Sequence, residues 1–141
     1  MRRMNLLFVL PLLLSLEAGA AGLPISFVED FEGNRIALYI DPAELAAAPV
    51  WKIGEAPIPL GVDQVVSLMK AWAKERHPEY DDLEIKEIAL KSIRARDGRR
   101  YWHYLVQYDG ISKGFVIHRP HQFCAVLLDG KVIPAVVEIR P

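Results

Sequence analysis

The chain has 141 residues, of which 52% are hydrophobic and 25% charged, and its formal net charge is −1. This size and composition fit one globular domain and leave too few residues for two. The 10 Pro and 9 Gly are spread along the sequence without repeats or biased runs, which excludes a disordered, fibrous or solenoid protein.

The first twenty residues have the pattern of a secretory signal peptide. Arg2 and Arg3 form a basic start, residues 6–16 are mostly apolar, and Ala-Gly-Ala at 18–20 provides the small residues of a cleavage site. The apolar stretch is much shorter than the roughly 20 residues that a membrane-spanning helix needs. We therefore predict a signal peptide over 1–20, a periplasmic or secreted location, and no membrane span after cleavage.

Charge is distributed unevenly along the rest of the chain. Residues 21–63 carry two basic and seven acidic side chains, a net charge of −5. Residues 64–141 carry 13 basic and 10 acidic side chains, a net charge of +3. This asymmetry predicts one acidic and one basic face. Neither the small net charge nor an exported location favours nucleic acid as a partner.

Residues 21–60 are predicted to form a β-hairpin, a short helix and a Pro-rich connector. Two short apolar strands flank the turn signal Glu-Gly-Asn at 32–34. Asp41 followed by Pro42 is typical of a helix start, with the Asp as N-cap, and Pro49 ends this helix. Together with residues 61–141, this part is predicted to fold as a single globular domain.

Residues 61–141 begin with the strongest predicted element, a helix over 62–77. Its apolar residues recur at helical spacing and share one face: Val62, Val65, Val66, Met69, Trp72 and Ala73. Gly61 is the predicted N-cap, and Pro78 ends the helix. Since this face needs an apolar surface to pack against, we expect the helix to lie on a sheet.

From residue 83 onward, the apolar spacing changes to two, which is typical of strands. The predicted strands cover residues 83–96, 101–108, 115–118, 122–128 and 131–140. Predicted turns lie at Asp97-Gly98, Asp109-Gly110 and Asp129-Gly130. A slip in the alternation predicts a bulge near Lys86, and Pro134 predicts either an edge position or a bulge. The predicted fold class is α+β, one long helix packed on an antiparallel β-sheet with a small N-terminal β-hairpin.

A resemblance to a known type of module follows from this order of elements. The helix, the long strand, its Asp-Gly turn, the pattern Trp102-x-Tyr104-x-Val106 and the closing Leu-Asp-Gly-Lys-Val at 128–132 resemble the small secreted bacterial PepSY-like and cystatin-like domains. The similarity covers about residues 57–140. It implies a non-catalytic protein that binds peptides or proteases or acts as a periplasmic modulator.

Two motifs match catalytic or metal-binding patterns but lack the required context. Gly-Ile-Ser-Lys-Gly at 110–114 matches the nucleophile elbow of hydrolases, yet no helix follows it, so we predict a loop between strands. His118, His121 and Cys124 recur every three residues, a spacing that alternates sides on a strand. We therefore predict no metal site and no cofactor.

The single cysteine, Cys124, rules out a disulfide within one chain. Its apolar neighbours predict a buried, unreactive thiol. Two alternatives stay open, namely an intermolecular disulfide and a nucleophilic pair with His103 or His118. The sequence leaves the oligomeric state open as well.

The candidate binding residues share one predicted hairpin, where a cluster of arginines lies next to aromatic side chains: Arg94, Arg96, Arg99, Arg100, Trp102, Tyr104 and Tyr108. Because export argues against nucleic acid, the alternatives are an acidic protein, an anionic envelope polymer, or a charged turn that only keeps the hairpin soluble. The leading hypothesis is a non-catalytic periplasmic or secreted binding module for a protein or peptide, which uses this hairpin or an open sheet face. The alternative is a small secreted hydrolase that uses Cys124 and a histidine.

Overall fold

The computed structural model describes residues 23–139, so the predicted signal peptide over 1–20 lies outside the described residues. The first described element is a hairpin of strands β1 (Leu23–Phe31) and β2 (Asn34–Ile40). Glu32 and Gly33 connect the two strands with φ angles of 51° and 83°. Positive φ at both turn positions matches the right-handed twist of the strands, so the predicted hairpin is confirmed.

Two helices follow, and each begins at the predicted cap. In α1 (Pro42–Ala47), the Asp41 carboxylate accepts the backbone N–H of the residue two positions later at 2.8 Å. In α2 (Val62–Arg76), the Gln64 side chain accepts the backbone N–H of Gly61 at 2.8 Å. These bonds satisfy amides at the helix starts that have no partner within the helix.

Six strands follow α2: β3 (Asp82–Arg94), β4 (Arg100–Ser112), β5 (Phe115–Ile117), β6 (Phe123–Leu127), β7 (Val132–Pro134) and β8 (Val136–Glu138). The pairing of β3 with β4 shifts between Ile85 and Glu87. Lys86 is therefore the extra residue of a β-bulge, as the sequence predicts.

The predicted turn at Asp109-Gly110 is wrong, because β4 continues through both residues to Ser112. The turn lies instead at Lys113 and Gly114, with φ angles of 52° and 78°. Gly110 has a packing role in the strand: a Cβ atom there would lie 2.5 Å from the Tyr80 ring. The absence of a side chain lets Tyr80 lie against the strand.

The described strands form two antiparallel sheets. The larger has the order β3-β4-β6-β7, with β5 beside the end of β4, and the smaller has the order β1-β2-β8. The predicted strand over 131–140 is divided, since β7 belongs to the larger sheet and β8 to the smaller. The two parts meet at Ala135, whose backbone N–H donates to Phe123 O at 3.1 Å. Pro134 lies in β7, the edge strand of the larger sheet, as the sequence predicts.

Both faces of the larger sheet are covered over its central strands. On the helix face, α2 packs on a core that includes Val65, Met69, Tyr104, Val106, Tyr108, Cys124 and Val126. On the opposite face, the smaller sheet and α1 pack on a core that includes Ile36, Leu38, Ile40, Leu45, Tyr101, Leu105, Ala125 and Leu127. The buried strand β4 thus carries apolar side chains on both sides.

The predicted fold class is therefore wrong. Residues 23–139 are mostly β-sheet, and the longer of the two helices among them, α2, has only 15 residues. The N-terminal hairpin is part of a second antiparallel sheet that covers the face expected to be open. The physical reason is the double apolar pattern of β4, which requires a cover on each side.

Candidate functional site

The basic hairpin, residues 94–100, connects β3 to β4 at one end of the larger sheet. Its turn is fixed by Asp97, whose carboxylate accepts the backbone N–H of Arg99 at 2.8 Å and the Tyr101 hydroxyl at 3.2 Å. Gly98 follows with a φ of 81°, a conformation that favours glycine. The one carboxylate of the hairpin is thus used to build the turn.

Arg94 and Arg100 lie directly opposite each other in the β3–β4 ladder, and both are exposed. Arg94 Nη1 donates to Gly98 O at 3.3 Å, and Arg100 Nη1 donates to Ser92 Oγ at 2.9 Å. Both partners are neutral oxygens. Among the side chains of residues 32–139, no carboxylate lies within 4.0 Å of either guanidinium. Like charges that face each other across a ladder are destabilising by about 0.2–1 kcal/mol.

Arg96 and Arg99 complete the cluster, and both are exposed. The Arg99 Nε atom lies 4.0 Å from Asp97 Oδ2, and the two side chains are 68% and 47% exposed. An exposed pair at this distance contributes little to stability. Residues 94–100 therefore carry four arginines against one aspartate, a net charge of +3.

Trp102 is half-buried beside this cluster, two residues along β4 from Arg100 and therefore on the same face of the strand. Its ring meets Trp51 edge to face, with 5.8 Å between the ring centroids and an angle of 73°. The Trp51 Nε1 atom donates to Ala56 O at 2.8 Å, which holds the connector between the helices in this position. The sequence did not associate Trp51 with the candidate site.

Tyr104 and Tyr108 are core residues, which corrects their predicted place on a binding surface. Only 4% and 3% of their surfaces are exposed, because α2 covers this face of β4. The Tyr104 hydroxyl donates to Leu60 O at 2.7 Å, and the Tyr108 ring lies 5.9 Å from that of Trp72. Burial raises the pKa of both hydroxyl groups. The arginines and these tyrosines do not form one surface.

Cys124 is buried on the helix face, where it stands opposite Val106. Burial raises the pKa of its thiol, so the thiol stays protonated at neutral pH. His103 lies three residues from Val106 along β4, and strand alternation places its side chain on the other face of the sheet. His118 is 80% exposed at its side chain and bonds to Asp109 instead. Neither histidine activates the thiol.

Sequence reasoning missed a charged cluster around Asp109. This carboxylate is buried, with Oδ1 at 2.7 Å from His118 Nδ1 and Oδ2 at 3.4 Å from Lys86 Nζ. Burial raises the pKa of Asp109, but the hydrogen bonds from His118 and Lys86 outweigh this effect, and its pKa is lower than usual. The sequence feature that could have indicated this cluster was the bulge at Lys86, because a bulge changes the direction in which side chains point.

Residues 23–139 contain no group of three or more His, Cys, Asp or Glu side chains placed to hold a metal ion. Among the same residues, neither helix has the length and apolar character needed to span a bilayer.

No protein-family model, no curated protein and no solved structure matches the chain.

Proposed function

We propose that the protein is a non-catalytic binding module of the periplasm or the extracellular space, and that its basic hairpin takes an acidic protein or peptide. The location rests on the signal-peptide pattern of residues 1–20. The observation that carries the binding proposal is the pair Arg94 and Arg100, held opposite each other with no carboxylate near them among the side chains of residues 32–139.

An acidic partner would relieve the repulsion within this pair. A guanidinium binds a carboxylate through two parallel N–H···O bonds, and hydrogen bonds to charged groups contribute about 1.5–3 kcal/mol each. Arg96 and Arg99 would add attraction over a longer range, which speeds association and weakens with salt. The half-buried rings of Trp51 and Trp102 offer apolar contact beside the charges.

The alternative function, a hydrolase based on Cys124, gains no support from the geometry. The thiol is completely buried, and His103 is on the other face of the sheet. The resemblance to PepSY-like and cystatin-like domains stays a prediction. The second sheet on the opposite face was not part of that resemblance.

The test uses a fluorescein-labelled decaglutamate peptide as the acidic probe, with binding followed by fluorescence anisotropy at about 20 mM and about 150 mM salt. The double variant Arg94→Gln, Arg100→Gln should bind at least about tenfold more weakly at low salt, equivalent to about 1.4 kcal/mol. Its unfolding free energy should stay equal to that of the wild type or rise, because the repulsion is removed.

The matched control is Lys74→Gln, Arg76→Gln, which makes the same charge change in the exposed last turn of α2. The affinity of this control variant for the probe should be within about twofold of the wild-type affinity. If both double variants lose the same affinity, the probe senses only net charge and the proposal fails. Unchanged binding by the hairpin variant would also refute it.

A further inference from the structure

Strand β5 has an open outer edge at the end of the larger sheet opposite the basic hairpin. Among residues 23–139, β5 pairs with β4 and with no other strand. Its first two residues are apolar and exposed, Phe115 at 75% and Val116 at 56%. A short apolar edge of this kind is a template for pairing with another chain.

The turn geometry determines which backbone groups face outward. Lys113 and Gly114 form a two-residue turn with positive φ, closed by the pair Ser112 and Phe115. In such a hairpin the closing pair is hydrogen-bonded, and the next pair is not. Val116 belongs to that next pair, so its backbone N–H and C=O point away from β4 and are available to a further strand.

Cationic side chains stand on both sides of this edge. Lys113 precedes β5 and Arg119 follows it, and both are exposed. Among the side chains of residues 32–139, no carboxylate lies within 4.0 Å of either charged group. The nearby carboxylates have closer partners: Glu79 lies 3.1 Å from His77 Nδ1 and interacts with Arg119 only at longer range, Asp81 accepts the backbone N–H of Lys113 at 2.6 Å, and Asp109 is bonded to His118.

These charges argue against a second copy of this chain as the occupant. An antiparallel pairing of two β5 strands centred on Val116 would place Lys113 of one copy opposite Arg119 of the other, at both ends of the pair. Like charges directly opposite each other destabilise a strand pair. The edge is complementary to a segment whose apolar centre is flanked by acidic residues.

We propose that β5 binds an extended peptide segment of another protein, with an apolar centre and an acidic residue at each end, which adds as a strand to the larger sheet. Backbone hydrogen bonds to Val116 supply affinity, contact with Phe115 buries apolar surface, and Lys113 and Arg119 select the acidic ends. This surface is separate from the basic hairpin, since β4 spans about 40 Å between them at about 3.3 Å per residue.

The probe is a seven-residue peptide, capped at both termini, with glutamate at each end and alternating valine and threonine between. Binding is measured as amide chemical-shift changes in a titration followed by NMR, with a lysine-ended peptide as control. Val116→Pro removes the outward N–H and should lower the affinity for the glutamate-ended peptide by at least about fivefold. The amide signals of the larger sheet should keep the pattern of the folded protein.

The charge-reversal variant Lys113→Glu, Arg119→Glu should exchange the preference, so that it binds the lysine-ended peptide more tightly than the glutamate-ended one. Glu32 occupies a turn position with a φ of 51° in this same chain, close to the 52° of Lys113, so a glutamate is compatible with this turn. A gain of binding cannot result from misfolding.

Three results would overturn the proposal. They are wild-type affinity in Val116→Pro, an unchanged preference in the charge-reversal variant, and shifts confined to residues outside β5. The Arg94→Gln, Arg100→Gln variant should bind this peptide as the wild type does. If it loses the peptide, the binding belongs to the basic hairpin, which distinguishes failure of this inference from failure of the proposed function.

Discussion

We predict that the protein loses stability in acid because the side chain of His103 is buried. It is completely buried in β4, and neither ring nitrogen has a hydrogen-bond partner among the described residues. Burial lowers its pKa from 6.5 to about 4, and the charge of Lys91 on the neighbouring strand adds to this effect. The folded protein therefore holds His103 neutral, while the unfolded chain protonates it near pH 6.5.

The sign of the pH dependence follows from which state binds more protons. Between pH 6.5 and pH 4 the unfolded chain is protonated at His103 and the folded chain is not, so stability is full above this interval and is lost as the pH falls through it. Linkage gives a loss of about 2 kcal/mol at pH 5 and about 3 kcal/mol at pH 4, with a limit of about 3.4 kcal/mol.

The assay is urea unfolding of the wild type and of His103→Leu at pH 7, 6, 5 and 4, followed by tryptophan fluorescence. Leucine does not titrate and leaves no unpaired ring nitrogen, so the variant should be at least as stable as the wild type at pH 7. Its advantage should grow by about 2 kcal/mol between pH 7 and pH 5. A difference that stays constant over this range would refute the reasoning.

Two further predictions concern the packing of α2 and of β4. Met69→Ala should lower the unfolding free energy in urea by about 2–5 kcal/mol, because Met69 is completely buried on the sheet-facing side of α2, whereas Lys74→Ala in the exposed last turn should change it by less than about 0.5 kcal/mol. Gly110→Ala should destabilise by about 1–3 kcal/mol, because the new Cβ would lie 2.5 Å from the Tyr80 ring. This loss should shrink in a Tyr80→Leu background, and an equal loss in both backgrounds would contradict the packing explanation.

Elements whose signals lie within a few residues were predicted well. The N-cap Asp41, the start of α2 at Gly61 and the bulge at Lys86 each depend on neighbours close in the sequence, and the structure has all three. The turn at Gly98 belongs to the same group. Local hydrogen bonds and backbone preferences decide such features, so a short stretch of sequence contains the information.

Features decided by distant residues were missed. Asp109 and Gly110 have turn chemistry, yet Lys86, His118 and Tyr80 hold them inside a strand. The candidate site was predicted in part for the same reason. Its four arginines are exposed, whereas Tyr104 and Tyr108 are buried by a helix some 30 to 40 residues earlier in the chain.

The layered arrangement was present in the sequence of β4 but was not recognised. Tyr101, His103 and Leu105 alternate with Trp102, Tyr104 and Val106, so neither side of this strand is predominantly charged. A strand of this composition is typical of a sheet covered on both faces. Periodicity shows that a face is apolar and leaves open which element covers it.

The pairing of β2 with β8 has a consequence for how the chain reaches its folded state. Arg35 pairs with Glu138, and the Tyr39 hydroxyl donates to the Glu138 carboxylate across a separation of 99 residues. The smaller sheet therefore cannot be completed on a nascent chain until residues 136–138 have been synthesised. Contacts of such long range in the sequence form slowly. Synthesis through residue 138 thus precedes the completion of the smaller sheet.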